Sequence, residues 1–364
     1  MFPDAVYAGR LDRIRRVMAG RGVDAALLSV GADLPYLTGY EAPQLERLTM
    51  LVVPAGGEAV LVVPRLEAPA VVDRGCFEVL PWDETDDPVA LAVALAGEPA
   101  TAAIGDHTWS RFLLAFQALA PATRFVPATP LTAELRIRKD ADEIALLREA
   151  GRAADRVAAR LAGERFSGRT EHEIAAATRQ MLVEEGHDVA SFAIVAAGAN
   201  GASPHHEPTD RVIEPGDAVV LDFGGRLGGY HSDTTRDFVV GEPGAEYRAA
   251  YDVLREAQAA AVAAAGPGVA AQEVDRTARR IITGAGYGEH FIHRTGHGIG
   301  LEVHEDPYLV EGNEQVLEPG MCFSIEPGIY RPGRFGLRSE DIVVVTADGA
   351  ERLNRSPRHA YMVD

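Results

Sequence analysis

Histidines, glycines and acids are concentrated in one short stretch of the chain, HRTGHGIGLEVHEDP at 293–307. It contains His293, His297 and His304, and imidazole groups bind metals and transfer protons near neutral pH. Any one of these histidines would more often be a hydrogen-bonded core residue, but three within so few residues favour a chemical role. The glycines allow the backbone to turn sharply and to approach a ligand closely.

The spacing in this stretch excludes two familiar kinds of site. No Glu follows His293 or His297, so the H-E-x-x-H zinc motif is absent. GHGIG and GGRLGG lack the G-x-G-x-x-G spacing of dinucleotide-binding loops. The partners of the histidines must therefore be sought elsewhere in the chain.

Acidic residues stand at the ends of apolar segments that have the pattern of buried strands. Asp222 ends one such segment and Asp233 follows it across a glycine-rich hairpin, while Glu326 and Glu340 occupy similar positions further on. Each alone could equally be a turn residue or a solvated strand end. Buried carboxylates that converge repel one another unless a cation lies between them. Oxygen ligands with an imidazole or two suit Mn²⁺, Co²⁺ or Zn²⁺.

The elements that must position these residues divide into two groups. Before residue 127, short apolar segments that end at Pro or Gly predict buried strands, and helical patterns lie between them. The predicted strands are 25–30, 49–54, 59–64 and 101–105, and the predicted helices are near 8–21, 65–74, 87–96 and 109–119. This alternation predicts an α/β domain. The prolines of PATP interrupt it, so we place the domains at 1–130 and 131–364.

The second domain shows a repeated order of elements. Its predicted helices are 134–161, a helix that begins at the Thr170–Glu173 capping box, 244–265 and 270–285, and its predicted strands are near 191–197, 218–223, 234–240, 321–326 and 341–346. Two helix pairs, each followed by antiparallel strands, predict an α+β domain with duplicated halves.

Composition excludes several partners. The formal net charge is −19 and no long basic segment occurs, so binding to nucleic acid or to an anionic membrane is not expected. No segment is apolar over the length that crosses a membrane, and the N-terminal residues lack the apolar core of a signal peptide. Cys76 and Cys322 give no disulfide framework. We expect a cytoplasmic protein.

Together the acids and histidines resemble the dinuclear site of the pita-bread metallopeptidases. The motifs LDFGG…SDTTR, HRTGHGIGLEVHE, FSIEPGIY and GLRSED follow one another in the order of that family. The α/β domain before them, with PYLTGY, is similar to the creatinase-like N-terminal domain of the proline-specific branch, which comprises aminopeptidase P and prolidase. Methionine aminopeptidases usually lack such a domain, so the resemblance favours the proline-specific branch and a pseudo-twofold C-terminal domain.

The resemblance implies a set of ligands for two divalent cations, with Mn²⁺ expected first and Co²⁺ or Zn²⁺ as alternatives. The matching residues are Asp222, Asp233, His297, Glu326 and Glu340. Asp233 and Glu340 correspond to carboxylates that bridge the cations, and Glu326 also corresponds to a proton shuttle. In this family the cations activate water for attack on the scissile carbonyl.

Four further residues match groups that surround the substrate in this family. His205 corresponds to a histidine near the leaving group. His293 and His304 correspond to histidines that stabilise the tetrahedral intermediate and hold the substrate. Arg338 corresponds to an arginine that orients carboxylates.

One position departs from the family pattern and leaves the substrate length open. Known prolidases carry an arginine for the terminal carboxylate of a dipeptide where this chain has Tyr308. Arg331 and Arg334 are candidates to replace it. The leading hypothesis is therefore an exopeptidase that cleaves the Xaa-Pro bond of short peptides, as a dipeptidase or as an aminopeptidase P.

Two other functions remain possible for this fold, and the resemblance also bears on the oligomeric state. The same fold could hydrolyse a non-peptide C–N bond with its metals, or bind ligands without catalysis, although the five intact ligands argue against the latter. The resemblance also implies a homodimer, in which QLERLT at 44–49 is a candidate to edge the partner's site.

Overall fold

The computed structural model describes residues 2–364 and divides them into two compact units after Arg136. The division lies six residues beyond the predicted boundary at residue 130, because the intervening segment forms a helix that packs on the first helix of the chain. The hydroxyl of Tyr36 donates to the carbonyl of Leu135 and fastens the end of this helix to the first unit.

The first unit is a mixed β-sheet with helices packed on it. Its helices are α1 Asp4–Arg21, α2 Asp33–Thr38, α3 Pro88–Ala96, α4 Ser110–Leu119 and α5 Thr129–Arg136. Its strands are β1 Ala25–Leu28, β2 Met50–Pro54, β3 Val60–Pro64, β4 Glu78–Trp82, β5 Thr101–Ile104 and β6 Arg124–Pro127. The sheet order is β4-β3-β2-β1-β5-β6, with β1 antiparallel to β2 and parallel to β5. The predicted α/β class is confirmed.

One local prediction for the first unit is wrong, and two of its strands were not predicted. The segment 65–74 forms only a short 3-10 turn, Ala68–Ala70, instead of a helix, because Pro69 disfavours helix in the residues before it and the extended backbone at Val71 ends the turn. Strands β4 and β6 were not expected, since each is short, lies at a sheet edge and is only half-buried, which leaves a weak apolar pattern.

The second unit consists of helix pairs and antiparallel sheets. Its helices are α6 Ala141–Leu161, α7 Glu171–Glu184, α8 Ala245–Ala264 and α9 Ala271–Gly284. Its strands are β7 Val189–Ala197, β8 Ala218–Leu227, β9 Tyr230–His231, β10 Thr234–Val240, β11 Gly296–Gly298, β12 Glu305–Leu309, β13 Cys322–Ile325, β14 Gly328–Arg331, β15 Phe335–Arg338, β16 Asp341–Thr346, β17 Gly349–Arg352 and β18 Tyr361–Val363.

The predicted repetition of the second unit is present as two halves, each with its own core. In the first half, α6 and α7 pack on a sheet with the order β18-β10-β8-β7. In the second half, α8 and α9 pack on a sheet with the order β12-β11-β13-β16-β17. Each helix pair buries an apolar face against its sheet, so each half holds its strands rigidly.

The long helix predicted at 134–161 is divided in two. Asp140 accepts hydrogen bonds from the backbone of Asp142 and Glu143, and the Glu143 side chain accepts one from the backbone of Asp140, which completes a capping box. This cap begins α6 at Ala141. The second predicted cap, Thr170 with Glu173, is confirmed at the start of α7. Over residues 2–364, no helix combines the length and the apolar character needed to span a membrane.

Candidate active site

A cavity of about 700 Å³ in the second unit brings together the residues singled out from the sequence. Its lining includes the acids and histidines His205, Asp222, Asp233, His293, His297, His304, Glu326 and Glu340, together with Arg338. These positions span 136 residues of sequence, so only the pairing of the strands makes them neighbours. Strands of both halves contribute, which places the cavity where the duplicated sheets meet.

The hairpin of β8 and β10 positions the first pair of carboxylates. Gly228 and Gly229 form its turn with φ values of 56° and 92°, a left-handed conformation that favours glycine. In the resulting register Asp222 lies opposite Thr235. Oxygen atoms of Asp222, Asp233 and Glu340 all lie within 4.8 Å of one another. The predicted convergence of the hairpin acids is therefore present, with Glu340 contributed by the other half.

The glycines around His297 serve close packing more than sharp turning. β11 lies between β12 and β13, and a Cβ atom at Gly296 would come within 1.9 Å of the Ser324 carbonyl oxygen. A Cβ atom at Gly298 would come within 2.1 Å of the Asp306 carbonyl oxygen. Glycine at alternate positions, which share one face of a strand, lets the neighbouring chains approach and leaves His297 to face the cavity.

The hydrogen bonds of His297 define which ring nitrogen is available. Nδ1 donates to the carbonyl of Gly298 at 3.1 Å, so Nε2 of the neutral ring carries the lone pair. Nε2 lies 3.1 Å from Oε1 of Glu326 and 3.6 Å from Oδ2 of Asp233. A lone pair that faces carboxylate oxygens is repelled unless a proton or a cation lies between them.

Two of the carboxylates have one oriented oxygen and one oxygen without a partner. Arg338 donates to Oδ2 of Asp222 at 2.6 Å, and the hydroxyl of Thr235 donates to Oε2 of Glu340 at 2.7 Å. Among the residues that the structure describes, the buried oxygens Oδ1 of Asp222 and Oε1 of Glu340 have no hydrogen-bond donor. Buried oxygens of this kind are normally satisfied by a proton donor or a metal ion.

Burial and mutual repulsion raise the pKa values of these carboxyls. Burial is the largest cause for all three, and it raises the pKa of Asp233 and of Glu340 well above their ordinary values. Repulsion between neighbours adds to this, from Glu340 and Asp222 at Asp233, and from Glu326 and Asp222 at Glu340. The pKa of Asp222 is also raised, although the charge of Arg338 opposes the shift.

Glu326 differs from the other acids because it faces the imidazole. Burial acts to raise the pKa of its carboxyl, but when a proton lies on Nε2 of His297 the hydrogen bond and the charge of that imidazolium outweigh burial and lower the pKa to about 2. Concentrated negative charge beside a nitrogen lone pair, with orphaned oxygens, is what a centre for divalent cations requires. The donor set therefore fits the metal ions that the sequence predicts.

His293 uses both ring nitrogens within the protein. Nδ1 donates to the carbonyl of Arg294 at 2.7 Å, so Nε2 accepts from the hydroxyl of Tyr330 at 2.8 Å. Tyr330 in turn accepts from Arg338 at 3.0 Å. Burial lowers the pKa of His293, which keeps the ring neutral. The groups of converging metal-ligand atoms found among residues 2–364 do not include His293.

His304 and His205 present their rings to the cavity. The ring of His304 lies 4.0 Å from that of His297, and burial, together with the neighbouring charges of His297 and Arg294, lowers the pKa of His304 to about 4. One of its nitrogens also lies within reach of Asp233 and His297. His304 is therefore neutral at pH 7 and can offer a ring N–H to a substrate.

A buried glutamate that was not singled out from the sequence fixes the loop that carries His205. Glu171, at the start of α7, is 0% exposed and accepts hydrogen bonds from the backbone of Ala197, from Asn200, from His206 and from both the backbone and the hydroxyl of Thr209. Burial acts to raise the pKa of Glu171, but these bonds outweigh it and lower the pKa. The sequence marked this region only as a capping box, because the partners are distant in the chain.

The substitution Glu171→Gln is expected to lower both stability and turnover. The NH₂ group of the glutamine would face N–H and O–H groups that now donate to the carboxylate, so some of these hydrogen bonds would be lost. Each lost hydrogen bond costs roughly 1–3 kcal/mol. Since the folded pKa of Glu171 is lowered, its contribution to the free energy of unfolding is present above the ordinary carboxyl pKa of 4.5 and is lost as the pH falls below it. The variant and the wild type should therefore differ most at neutral pH and converge in acid, as measured by urea unfolding.

The matched control is Glu173→Gln, which alters an exposed side chain of the same helical turn. We expect it to cost about 1 kcal/mol or less, since only the capping box is affected. Unchanged kcat/KM in Glu171→Gln, despite lost stability, would mean that the loop of His205 needs no such support.

The second half uses a corresponding device. Asp275 of α9 accepts from the backbone and from the hydroxyl of Thr295, at 3.0 and 2.8 Å, and forms an ion pair with Arg279. Arg279 also donates to the carbonyl of His293 at 2.8 Å. A helix of each half thus holds a loop that carries cavity histidines.

Several cavity residues were missed by the sequence. They are Phe192, Ile194, Pro204, Glu207, Arg294 and Val303, which line the cavity, and Thr235, Ser324 and Tyr330, which orient its ligands. Tyr330 stands in the motif EPGIY, so its place beside Glu326 was a usable signal. The apolar residues carry no such signal, because their types are those of any core.

Converging carboxylates and an imidazole in the cavity of a duplicated α+β domain define a metal-dependent hydrolase. The chain belongs to Metallopeptidase family M24, which it matches over residues 145–347, and residues 10–138 match the Creatinase/Prolidase N-terminal domain. The family membership and fold predicted from the motifs are thereby confirmed. The members of this family that the chain resembles are metal-dependent peptidases.

Relatives cover almost the whole chain. The probable dipeptidase PepE of Mycobacterium tuberculosis is 46% identical, with 100% of this chain and 98% of that protein covered. The Xaa-Pro dipeptidase of Lactobacillus helveticus is 39% identical, with 97% and 98% covered. The crystal structure of dipeptidase PepE from Mycobacterium ulcerans is 44% identical and superimposes with a TM-score of 0.94, with 100% and 99% covered.

Proposed function

We propose that this protein hydrolyses the Xaa-Pro peptide bond of short peptides with the help of two divalent cations. The observation that carries the proposal is a cavity of converging carboxylates and imidazoles in a chain that also carries a Creatinase/Prolidase N-terminal domain. A relative named as an Xaa-Pro dipeptidase matches this chain over 98% of its own length. Proline has no amide hydrogen, so the bond before it requires a dedicated peptidase site.

The residues that would hold the cations are the four acids and the one imidazole predicted from the sequence. They are Asp222, Asp233, His297, Glu326 and Glu340, and Mn²⁺ is the ion that we propose first. Such cations polarise a carbonyl and lower the pKa of water toward neutrality. Arg338 and Thr235 orient the carboxylates of Asp222 and Glu340, because each donates to one oxygen, whereas the other oxygen has no donor among the described residues.

The neighbouring side chains would handle the substrate. No hydrogen bond to a residue of the described chain engages the rings of His205 or His304, so their N–H groups are available to substrate oxygens. The hydroxyl of Tyr330 donates to His293 and accepts from Arg338, and it thereby fixes the positions of both side chains. Glu326 would take up a proton from the attacking water and return it to the proline nitrogen.

The test uses metal-stripped protein with and without added Mn²⁺. We expect Ala-Pro to be cleaved only with metal, and Ala-Ala to be cleaved at least about a hundredfold more slowly, because a proline-specific site discriminates through its fit to the ring. Ala-Pro-Ala distinguishes an aminopeptidase P from a strict dipeptidase. Equal rates on Ala-Pro and Ala-Ala would contradict the proline specificity, and no metal-dependent cleavage would contradict the proposal as a whole.

We also propose that the protein is a homodimer and that it acts in the cytoplasm. The segment 44–49 is exposed at Leu45, which is 41% accessible, and carries Arg47 with its ion pairs to Glu46 and Glu84. These features suit a polar edge that a second copy could contact. Sedimentation of the purified protein tests the assembly.

A further inference from the structure

Two arginines line the cavity, and they differ in whether other protein groups bind their guanidinium groups. Arg338 is buried and donates to Asp222, Thr235, Tyr330 and the carbonyl of Pro204. Arg294 also lines the cavity, but no carboxylate of the described residues forms an ion pair with its guanidinium. One guanidinium in the cavity is thus committed to the protein, and the other remains available to a ligand.

Arg294 is held in place without using its hydrogen-bond donors. Its guanidinium carbon lies 4.3 Å from the centre of the Tyr308 ring, a cation–π contact that orients the planar group. Its backbone is fixed on both sides, because its carbonyl accepts from His293 and the next residue, Thr295, is bound to Asp275. A guanidinium that stacks on a ring keeps its N–H groups in a plane suited to a carboxylate.

The other arginines considered from the sequence are occupied elsewhere. Arg331 and Arg334 both form ion pairs with Glu246 of α8, the former at 3.1 Å. Neither is among the residues that line the cavity. The aromatic ring of Tyr308, which stands where prolidases carry an arginine, instead supports the guanidinium of Arg294.

We propose that Arg294 binds a carboxylate of the substrate and thereby determines which peptides are accepted. The inference rests on the proposed peptidase function and specifies the substrate class. Two carboxylates can supply this chemistry: the free C-terminus of a dipeptide, or the side chain of an acidic residue before proline. The first source makes the protein a dipeptidase, since a third residue would remove the terminal charge from that place.

The experiment compares three substrates with wild-type protein and the variant Arg294→Met. The substrates are Ala-Pro, Ala-Pro-amide and Asp-Pro-amide. If the terminal carboxylate is the ligand, the variant raises KM for Ala-Pro by roughly ten- to a hundredfold, keeps kcat within about threefold and leaves Ala-Pro-amide unchanged. If the side chain is the ligand, the loss falls on Asp-Pro-amide instead. Equal effects on all three substrates, or none, overturn the proposal.

Conservative and matched variants complete the test. Arg294→Lys keeps the charge without the planar fork and should recover part of the lost affinity. Arg331→Met removes a cation of the same unit that does not line the cavity, and should leave all three KM values unchanged. If Arg294 only stacks on Tyr308 and binds no carboxylate, Arg294→Lys should raise KM as much as Arg294→Met does.

Binding separates this inference from the proposed function. Calorimetry would measure the affinity for a reduced analogue of Ala-Pro, in which CH₂ replaces the scissile carbonyl, for its amide, and for the reduced analogue of Asp-Pro-amide. A wild type that cleaves no Xaa-Pro substrate contradicts the peptidase proposal. Even in that case, the carboxylate site is supported if the wild type binds a carboxylate-bearing analogue more tightly than the amide and Arg294→Met abolishes this preference. If the wild type and the variant bind each analogue with equal affinity, the carboxylate site is refuted.

Discussion

Replacing Asp233 by Asn is expected to abolish metal binding and turnover while making the metal-free protein more stable. Asp233 is 4% exposed and shares its space with Glu340, Asp222 and Glu326. Removing one charge relieves repulsion that is strong inside a protein. We expect turnover to fall roughly a thousandfold or more and the metal-free unfolding midpoint to rise by roughly 2–4 °C, about 1 kcal/mol.

The two effects are measured on the same preparations. Metal content per chain and calorimetric affinity for Mn²⁺ report binding, and thermal unfolding with and without a chelator reports stability. The wild type should gain stability from the metal, whereas the variant should not. Retention of both metals by Asp233→Asn would show that this side chain is not a ligand. A less stable metal-free variant would show that repulsion is not the dominant effect.

The matched control is Asp237→Asn, which lies four residues after Asp233 and within β10. Asp237 is buried, and burial raises the pKa of its carboxyl well above the ordinary value. Asparagine keeps the size of this side chain and its acceptor for the backbone N–H of Arg338, and Asp237 does not line the cavity. We expect metal content to be unchanged and turnover to stay within about threefold, so charge at position 233 is what the first variant tests.

Replacing His293 by Ala is expected to lower turnover by roughly a hundred- to a thousandfold while both metals stay bound. The Nε2 lone pair of His293 is occupied by the hydroxyl of Tyr330, and Nδ1 donates to the carbonyl of Arg294. Loss of the ring frees Tyr330 from one of its two restraints, whereas the ligands keep theirs from Arg338 and Thr235. Steady-state kinetics and metal analysis of the same protein are the measurements.

The control for this prediction is His290→Ala, a nearby histidine that does not line the cavity. It should have kinetics close to those of the wild type. If His293→Ala loses metal in proportion to its activity, His293 is a ligand and its role near the substrate is wrong. Unchanged turnover would mean that Tyr330 is positioned by Arg338 alone.

Much of the fold could be predicted from local patterns. The buried strands β1, β2, β3 and β5 were found within one or two residues, since a continuous apolar segment bounded by Pro or Gly has few other uses. The cap at Thr170 fixed the start of α7 for an equally local reason. The half-buried edge strands β4 and β6 were missed because their side chains carry little apolar signal.

The sequence by itself determined the chemistry of this protein. Acids at the ends of apolar strands and three histidines among glycines are anomalies that local structure does not explain, and their types already specify hard cations and proton transfer. The five proposed ligands and the substrate-side histidines all line one cavity, since strands with those residues can bury them only by bringing them together.

Only the tertiary structure decided how each side chain is used. Hydrogen bonds from distant residues orient Asp222 and Glu340 and set the tautomers of His293 and His297. Glu171 connects to its loop, and Arg294 stacks on Tyr308, through contacts that no sequence period encodes. Residue type and spacing report what a group can do, whereas its protonation, partners and reach depend on neighbours that only folding supplies.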